Sequence, residues 1–426
     1  MLILVGFHTL QCNIFHTGGD PNKITIGGES AGGVSTALHL LTPLLGAKDF
    51  RGAIMQSGFS LPWNMQVTKD QAQTRANNLK SFFNCSSLSC LRSLSASDII
   101  SYQTSNTSDV FWPTLDGYYL NASAFDLYNN GSYKKVNILA GVNRNEMTAF
   151  TCFVLPNDIT VLQQKAVFAS YFGIPKMTSF YPLLPNYYTL ANYSNNLAYV
   201  NEILSNSNVQ CNARYATSLM SSQIYNSYFY TYDYHFSWVP SCYGTAHAAE
   251  LPIQFPSLLK TRSSTQYYSF NDNETLLSKQ MITYWSNFVV SGNPNKNSTG
   301  VNLLTNQITW PRYSTCNDTQ LYIQLQGGSV ENTMYSKVCP FWSTYTELPV
   351  LQCNTSLIPP IPQDSTVTPQ VSTYTSVTKN TTAVTSTGGV KNGTSVATSY
   401  ATTVPHSSYT IVFVMVMLFI VNLVLY

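Results

Sequence analysis

Charge is what this chain has least of. Only 9% of its 426 residues are Asp, Glu, Lys or Arg, and the formal net charge is +2. The 21 Lys and Arg form no run able to neutralise a phosphate backbone, which argues against a nucleic-acid partner. Histidine is also scarce, at six residues, so chemistry that needs an imidazole has few places to reside. Residues 20–355 contain no internal repeat, so the fold is not a repeat array. The N-terminal stretch Met1 to Phe7 is apolar, but it has no basic residues before it and no small-residue cleavage site after it. It makes a poor signal peptide.

What is present is a large apolar inventory, 44% hydrophobic and 13% aromatic, enough to build one large domain or two. Nine Cys and eleven Asn-x-Ser/Thr sequons, the first at Asn84, Asn106, Asn121, Asn130 and Asn192, fit a glycosylated protein matured in an oxidising lumen. A secreted or surface-bound protein with a poor signal sequence suggests a true N-terminus further upstream.

The C-terminal part changes character. From Ser365 to Ser408, 21 of 44 residues are Ser or Thr and the only charges are Lys379 and Lys391. Such a segment buries too little apolar area to offset its ordering entropy. It reads as an O-glycosylated stalk behind a stiff Pro359 to Pro362 hinge, or equally as a plain disordered tail. Tyr409 to Tyr426, 18 uncharged and mostly apolar residues, then supplies an anchor signal. Its length and lack of basic flanks favour a GPI signal over a spanning helix. The expected division is a folded unit over 1–358, a stalk over 359–408 and a membrane-anchor signal over 409–426.

Within the folded part, strands alternate with helices. Ile24 to Ile26 reads as a short strand, followed by a small-residue turn over Gly27 to Ser30 and a helix from Ala31 to Leu41 that stops at Thr42-Pro43. Buried strands are expected at Ala53 to Gln56 and Val136 to Val142. The spacing of Met281, Ile282, Trp285 and Val289 predicts a helix over Leu276 to Val290 that ends at Gly292. The class is α/β with a mostly parallel central sheet.

Gly28-Glu29-Ser30-Ala31-Gly32 fits the G-x-S-x-G nucleophile elbow in a strand-turn-helix context. The bare pattern also fits an ordinary Gly-rich turn, but its setting favours the elbow. A serine hydroxyl needs a His base and an acid that orients the His. His8, His16 and His39 lie too near Ser30, His235 sits in an aromatic strand-like run over Tyr228 to Phe236, and His406 lies in the stalk. His247 follows that run on a Gly-containing loop, where a base can reach the elbow. The acid should emerge at a strand end, where Glu146 stands directly after the expected strand. Asp116 competes for the role, although Asp116-Gly117 after Pro113 reads more simply as a turn.

The segments GDPNKITIGGESAGG (Gly19 to Gly33), AIMQSG (Ala53 to Gly58), RNE (Arg144 to Glu146), HAAELP (His247 to Pro252), WSNFVVSGNP (Trp285 to Pro294) and WPRY (Trp310 to Tyr313), together with the Asp116-Gly117 turn, occur in one order. In these the chain resembles type-B carboxylesterases and cholinesterases, from about Gly18 to Trp342. The resemblance implies an α/β-hydrolase that needs no cofactor and cleaves small carboxylic esters, with Ser30 as nucleophile, Glu146 as acid and His247 as base.

That family also carries first strands and a Gly-rich HGGG-type oxyanion loop before the elbow. Neither stands in this sequence, so the expectation is a catalytic domain lacking its N-terminal strands, with Ala31 N–H as its one assignable oxyanion donor, and a chain that as written is inactive as an esterase although the full gene product would be active. By the same resemblance Cys85 pairs with Cys90 and Cys211 with Cys339, leaving Cys12, Cys152, Cys242, Cys316 and Cys353. A Cys152 to Cys242 pair is one guess among these. Trp63 after Pro62 resembles an acyl-pocket wall, with core packing as its alternative, and Phe150 is a candidate substrate contact. A choline-stacking Trp has no counterpart. A homodimer and a membrane attached through the C-terminus are the other partners considered. The alternative function is an inactive esterase-like adhesion or structural glycoprotein at the cell surface.

Overall fold

The computed structural model describes residues 13–348 apart from 18, 47, 59–65, 107–108, 110, 261–267, 296–302, 305 and 347. Trp63, Cys12, Cys353, the stalk and the anchor signal lie outside the described residues. A six-stranded sheet organises the rest. Its strands are β1 (Thr25–Glu29), β2 (Gly52–Gln56), β5 (Asn137–Asn143), β6 (Ser227–Tyr232), β7 (Gln320–Ile323) and β8 (Ser329–Glu331), hydrogen-bonded in that order. The links from β1 to β7 are parallel, and β7 turns back on β8 antiparallel. Two short strands, β3 (Val67–Thr68) and β4 (Thr114–Leu115), pair separately.

The sequence of the central strands explains their place. β2 and β6 are buried at every position, and β5 at all but its first, as expected for parallel strands covered on both faces. Side chains alternate between the faces with period two. Ala53, Met55, Ile138, Ala140, Val142 and Phe229 join one core, while Ile54, Leu139, Tyr228, Tyr230 and Tyr232 join the other. The first core is closed by α1 (Ala31–Leu41) and α3 (Cys211–Ser221), which contribute Val34, Ala37, Leu41, Ala213, Ala216 and Met220. The second core rests on α4 (Asp272–Ser291), which presents Leu277, Met281, Tyr284 and Phe288, four residues at helical spacing. A capping box of Asn271 and Glu274 starts α4, and Gly292 at φ 76° ends it. Between α1 and α3, the helix α2 (Asn196–Ser205) runs into a π-helical turn, Asn206–Gln210, ahead of α3.

The extent of the first strand needs correction. The first strand is Thr25–Glu29, so Gly27 and Gly28, read from sequence as turn, continue the pairing opposite Ile54 and Met55. The helix expected over Leu276 to Val290 is α4, in which Tyr284 and Phe288 point inward, Trp285 and Val289 are half-buried against the same core, and Ile282 is exposed. The disulfides Cys85–Cys90, Cys211–Cys339 and Cys152–Cys242 are formed, and Cys316 is also oxidised.

β1 and β2 meet α1 through glycine. A Cβ on Gly58 would lie 2.4 Å from both Gly33 Cα and Ser30 O. Gly58→Ala must push the end of β2 away from α1, at a cost of roughly 1–3 kcal/mol. A urea titration should show a lower midpoint with an unchanged slope; an unmoved midpoint would mean the contact yields freely.

Candidate active site

The turn from β1 to α1 sets the first side chain. Ser30 adopts φ 55° and ψ −124°, left-handed backbone that a residue with a Cβ enters only under strain. Its N–H donates to Gln56 O at 2.9 Å on β2, and its C=O accepts from Val34 N at 2.9 Å inside α1. The reversal is tight enough that a Cβ on Gly28 would fall 2.3 Å from the carbonyl carbon of Gly32. Gly28 is therefore a steric requirement of the turn, whereas a Cβ on Gly32 would meet nothing within 4 Å.

Ser30 Oγ lies 2.8 Å from His247 Nε2, and His247 Nδ1 lies 2.7 Å from Glu146 Oε2. A carboxylate has no proton to give, so Nδ1 donates to Glu146, and in the neutral imidazole Nε2 is left to accept the serine hydroxyl. The other carboxylate oxygen, Glu146 Oε1, accepts from Asn143 N at 2.7 Å and Ser57 Oγ at 2.6 Å. The Glu146 side chain is 0% exposed and that of His247 12%, so the line runs from a closed end to an open one. This arrangement lets an imidazole take the serine proton while a fixed carboxylate stabilises the imidazolium, the requirement for presenting an alkoxide to a carbonyl carbon. Ala31 is the first residue of α1, where backbone N–H groups have no acceptor within the helix.

Two further carboxyls surround the imidazole. Glu29 Oε1 is 3.3 Å from His247 Nε2 but makes no hydrogen bond, since Nε2 is directed at Ser30. Burial pushes the Glu29 carboxyl up to about 8, with the charges of Glu250 and Glu146 adding to the shift and His247 opposing it. Burial also raises Glu250, which accepts from Asn143 Nδ2 at 2.6 Å and Gln56 Nε2 at 2.9 Å. For His247, burial works against the imidazolium. The hydrogen bond to Glu146 and the charges of Glu146, Glu29 and Glu250 outweigh it and raise the imidazole to about 9.

The structure thus brings together Ser30, Glu146 and His247, with Phe150 beside them, its ring centroid 5.6 Å from that of His247. Asp116 is elsewhere: its Oδ1 accepts the N–H groups of Tyr118, Tyr119 and Leu120, the turn expected for it. His39 is buried in α1 against the Tyr119 hydroxyl, and His16 and His235 are exposed. His235 lies past the end of β6, not within a strand. Sequence reading missed Ser57, Asn143, Gln56, Glu29 and Glu250. Ser57 and Asn143 had one usable signal, since both stand at the ends of buried strands that converge on Ser30. Among the described residues, no three His, Cys, Asp or Glu side chains gather as a metal site.

Because the folded state raises both His247 and Glu29, protonation of either favours the fold. The His247 contribution is complete below about 6.5 and lost as pH rises through about 9; that of Glu29 is complete below about 4.5 and lost through about 8. Glu29→Gln removes one negative charge facing the imidazole, so the NMR titration midpoint of His247 should fall below that of the parent protein. An unmoved midpoint would show that the charge at position 29 is not felt.

Comparison with known proteins identifies the family. The Carboxylesterase family profile matches residues 4–342. The chain is 27% identical over 361 residues to a Mus musculus protein named Cholinesterase, and 26% identical over 392 residues to Acetylcholinesterase from Electrophorus electricus and from Danio rerio. Each match covers 79% of this chain, and the chain spans only 58–60% of the length of these relatives. A parallel α/β sheet, a strained serine between strand and helix, and a family match over most of the chain lead to one conclusion: this protein belongs to the carboxylesterase family and has the α/β-hydrolase fold.

Proposed function

We propose that the protein hydrolyses carboxylic esters through an acyl-enzyme on Ser30, with His247 as the base and Glu146 as the acid that orients it. The observation that carries this reading is the unbroken line of 2.8 Å and 2.7 Å contacts from a strained serine to a fully buried carboxylate. His247 Nε2 takes the Ser30 proton as Oγ attacks the ester carbonyl carbon, and the carbonyl oxygen becomes an oxyanion for which Ala31 N–H is proposed as one donor. The intermediate collapses, His247 returns the proton to the leaving alcohol, and the acyl group stays on Ser30. Water, deprotonated by His247, then releases the carboxylic acid and restores the serine. Phe150 and Trp63 are proposed to contact the substrate. The names of the relatives make choline esters the first substrates to try.

A fluorophosphonate probe should label Ser30 in the parent protein and leave Ser30→Ala unlabelled. His247→Gln should slow labelling by roughly 10² to 10⁴-fold. An intact, folded protein that takes no label would overturn the esterase reading in favour of a non-catalytic surface glycoprotein on the same fold.

The setting proposed for this activity is extracellular, on disulfides that form in an oxidising compartment. The division into an esterase unit over 1–358, a stalk over 359–408 and a GPI signal over 409–426 rests on composition. Phosphatidylinositol-specific phospholipase C should release the protein from cells; retention after treatment would point to a spanning helix instead.

A further inference from the structure

The loop carrying His247 is held chiefly by the loop carrying Glu146. Asn145 N donates to Thr245 O at 3.0 Å, and Thr245 N donates back to Asn145 Oδ1 at 3.1 Å. His247 N donates to Glu146 O at 3.3 Å, Asn143 Nδ2 to Ala246 O at 2.9 Å, and Thr148 Oγ1 to Tyr243 O. Gly244, at φ 52°, has no room for a Cβ, which would lie 2.5 Å from Asn145 Oδ1. The last rung is covalent: Cys152, at the end of the short helix Thr148–Thr151 that follows Glu146, is bonded to Cys242, five residues before His247, with Cα atoms 5.5 Å apart. Cys242 is half-exposed and Cys152 is nearly buried.

We propose that the Cys152–Cys242 disulfide is a positioning crosslink that closes this ladder and keeps the His247 imidazole in register with Glu146 and Ser30. Two loops that arrive at the sheet's edge from strands β5 and β6 behave as one body because hydrogen bonds join them along their length and a disulfide joins their far ends. Cutting the disulfide leaves Cys242 and the turn before His247 tied to the rest by non-covalent contacts: the ladder, the Tyr243 ring on Phe153 and Thr245 Oγ1 on Asp233 Oδ1. The imidazole then samples positions away from Glu146, and small misplacements of a reacting group are costly. This proposal rests on the esterase reading for its kinetic consequence, but its geometric consequence does not. An imidazole loosened from Glu146, and from the charges of Glu29 and Glu250 that also face it, loses what raises it and titrates nearer its ordinary value.

The test compares the full-length protein with Cys152→Ala/Cys242→Ala and, as a control for general destabilisation, with Cys211→Ala/Cys339→Ala, which opens a longer loop of 128 residues against 90. Well below all three melting temperatures, fluorophosphonate labelling of Ser30 should be about tenfold slower in the first variant. Its acid limb should lie at lower pH, and the NMR midpoint of His247 should fall with it. The control should melt lower yet label at the parental rate with the parental midpoint. Parental labelling and an unmoved His247 midpoint in the first variant would overturn the proposal. If the parent itself takes no label, the esterase reading fails, and the His247 midpoint alone decides the crosslink. Should the first variant not fold, Thr148→Val, which removes the rung to Tyr243 O and a local bond to Asn145 O while keeping the disulfide, is expected to shift the midpoint in the same direction; no shift there would overturn the proposal.

Discussion

A carboxylate with no exposure to solvent is the constraint around which the site is organised. Leaving a buried charge without partners costs about 3–5 kcal/mol, so Glu146 must find donors on every side. It does so from three separate parts of the chain: Asn143 N at the end of its own strand, Ser57 Oγ at the end of β2, and His247 Nδ1 from the loop after β6. Those donors can converge only if β2, β5 and β6 are neighbours in parallel register, with their C-terminal ends level. Ser57 N on Gly141 O continues that register past the end of the paired segment. The sheet and the charged group therefore specify one another.

The same convergence explains what could be read from the sequence. The elbow was legible because its requirements are local: a short strand, glycines where a Cβ has no room, and a helix that follows at once. Glu146 and His247 could be placed because strand ends and Gly-containing loops are recognisable, and because the order of the family's segments is preserved. Gln56 and Glu250 could not. They are separated by 194 residues and hydrogen-bonded to each other in the buried layer beneath His247, and nothing local distinguishes them from other polar residues beside apolar runs. Glu29 stood within the motif itself, but its 3.3 Å approach to the imidazole depends on how β1 ends, not on the pattern.

The inward face of α4 could not be read from the sequence, for a related reason. The apolar residues Met281, Ile282, Trp285 and Val289 do recur at helical spacing, but hydrophobicity alone did not distinguish that stripe from its neighbour. Tyr284 donates its hydroxyl to Ile308 O, so an aromatic with a polar tip is held in the core where an all-apolar count favours Ile282. Likewise Gly27 and Gly28 look like a turn by composition, yet they remain in the strand. A Cβ on Gly27 would press within 3.2 Å of Ile54, and the strand needs that slender backbone to lie against its neighbour.

The backbone contact of Gly33 with Gly58 also limits how this protein can diversify. No side chain there can be enlarged by one carbon without displacing both a helix and a strand end, so single-step variation at the serine's support leads first to less stable chains. The half-buried ring of Phe150 stands on a short helix beside the imidazole and makes no part of that backbone contact. Descent with modification is thus channelled to the rim. The serine's scaffold stays fixed while the surface around it drifts.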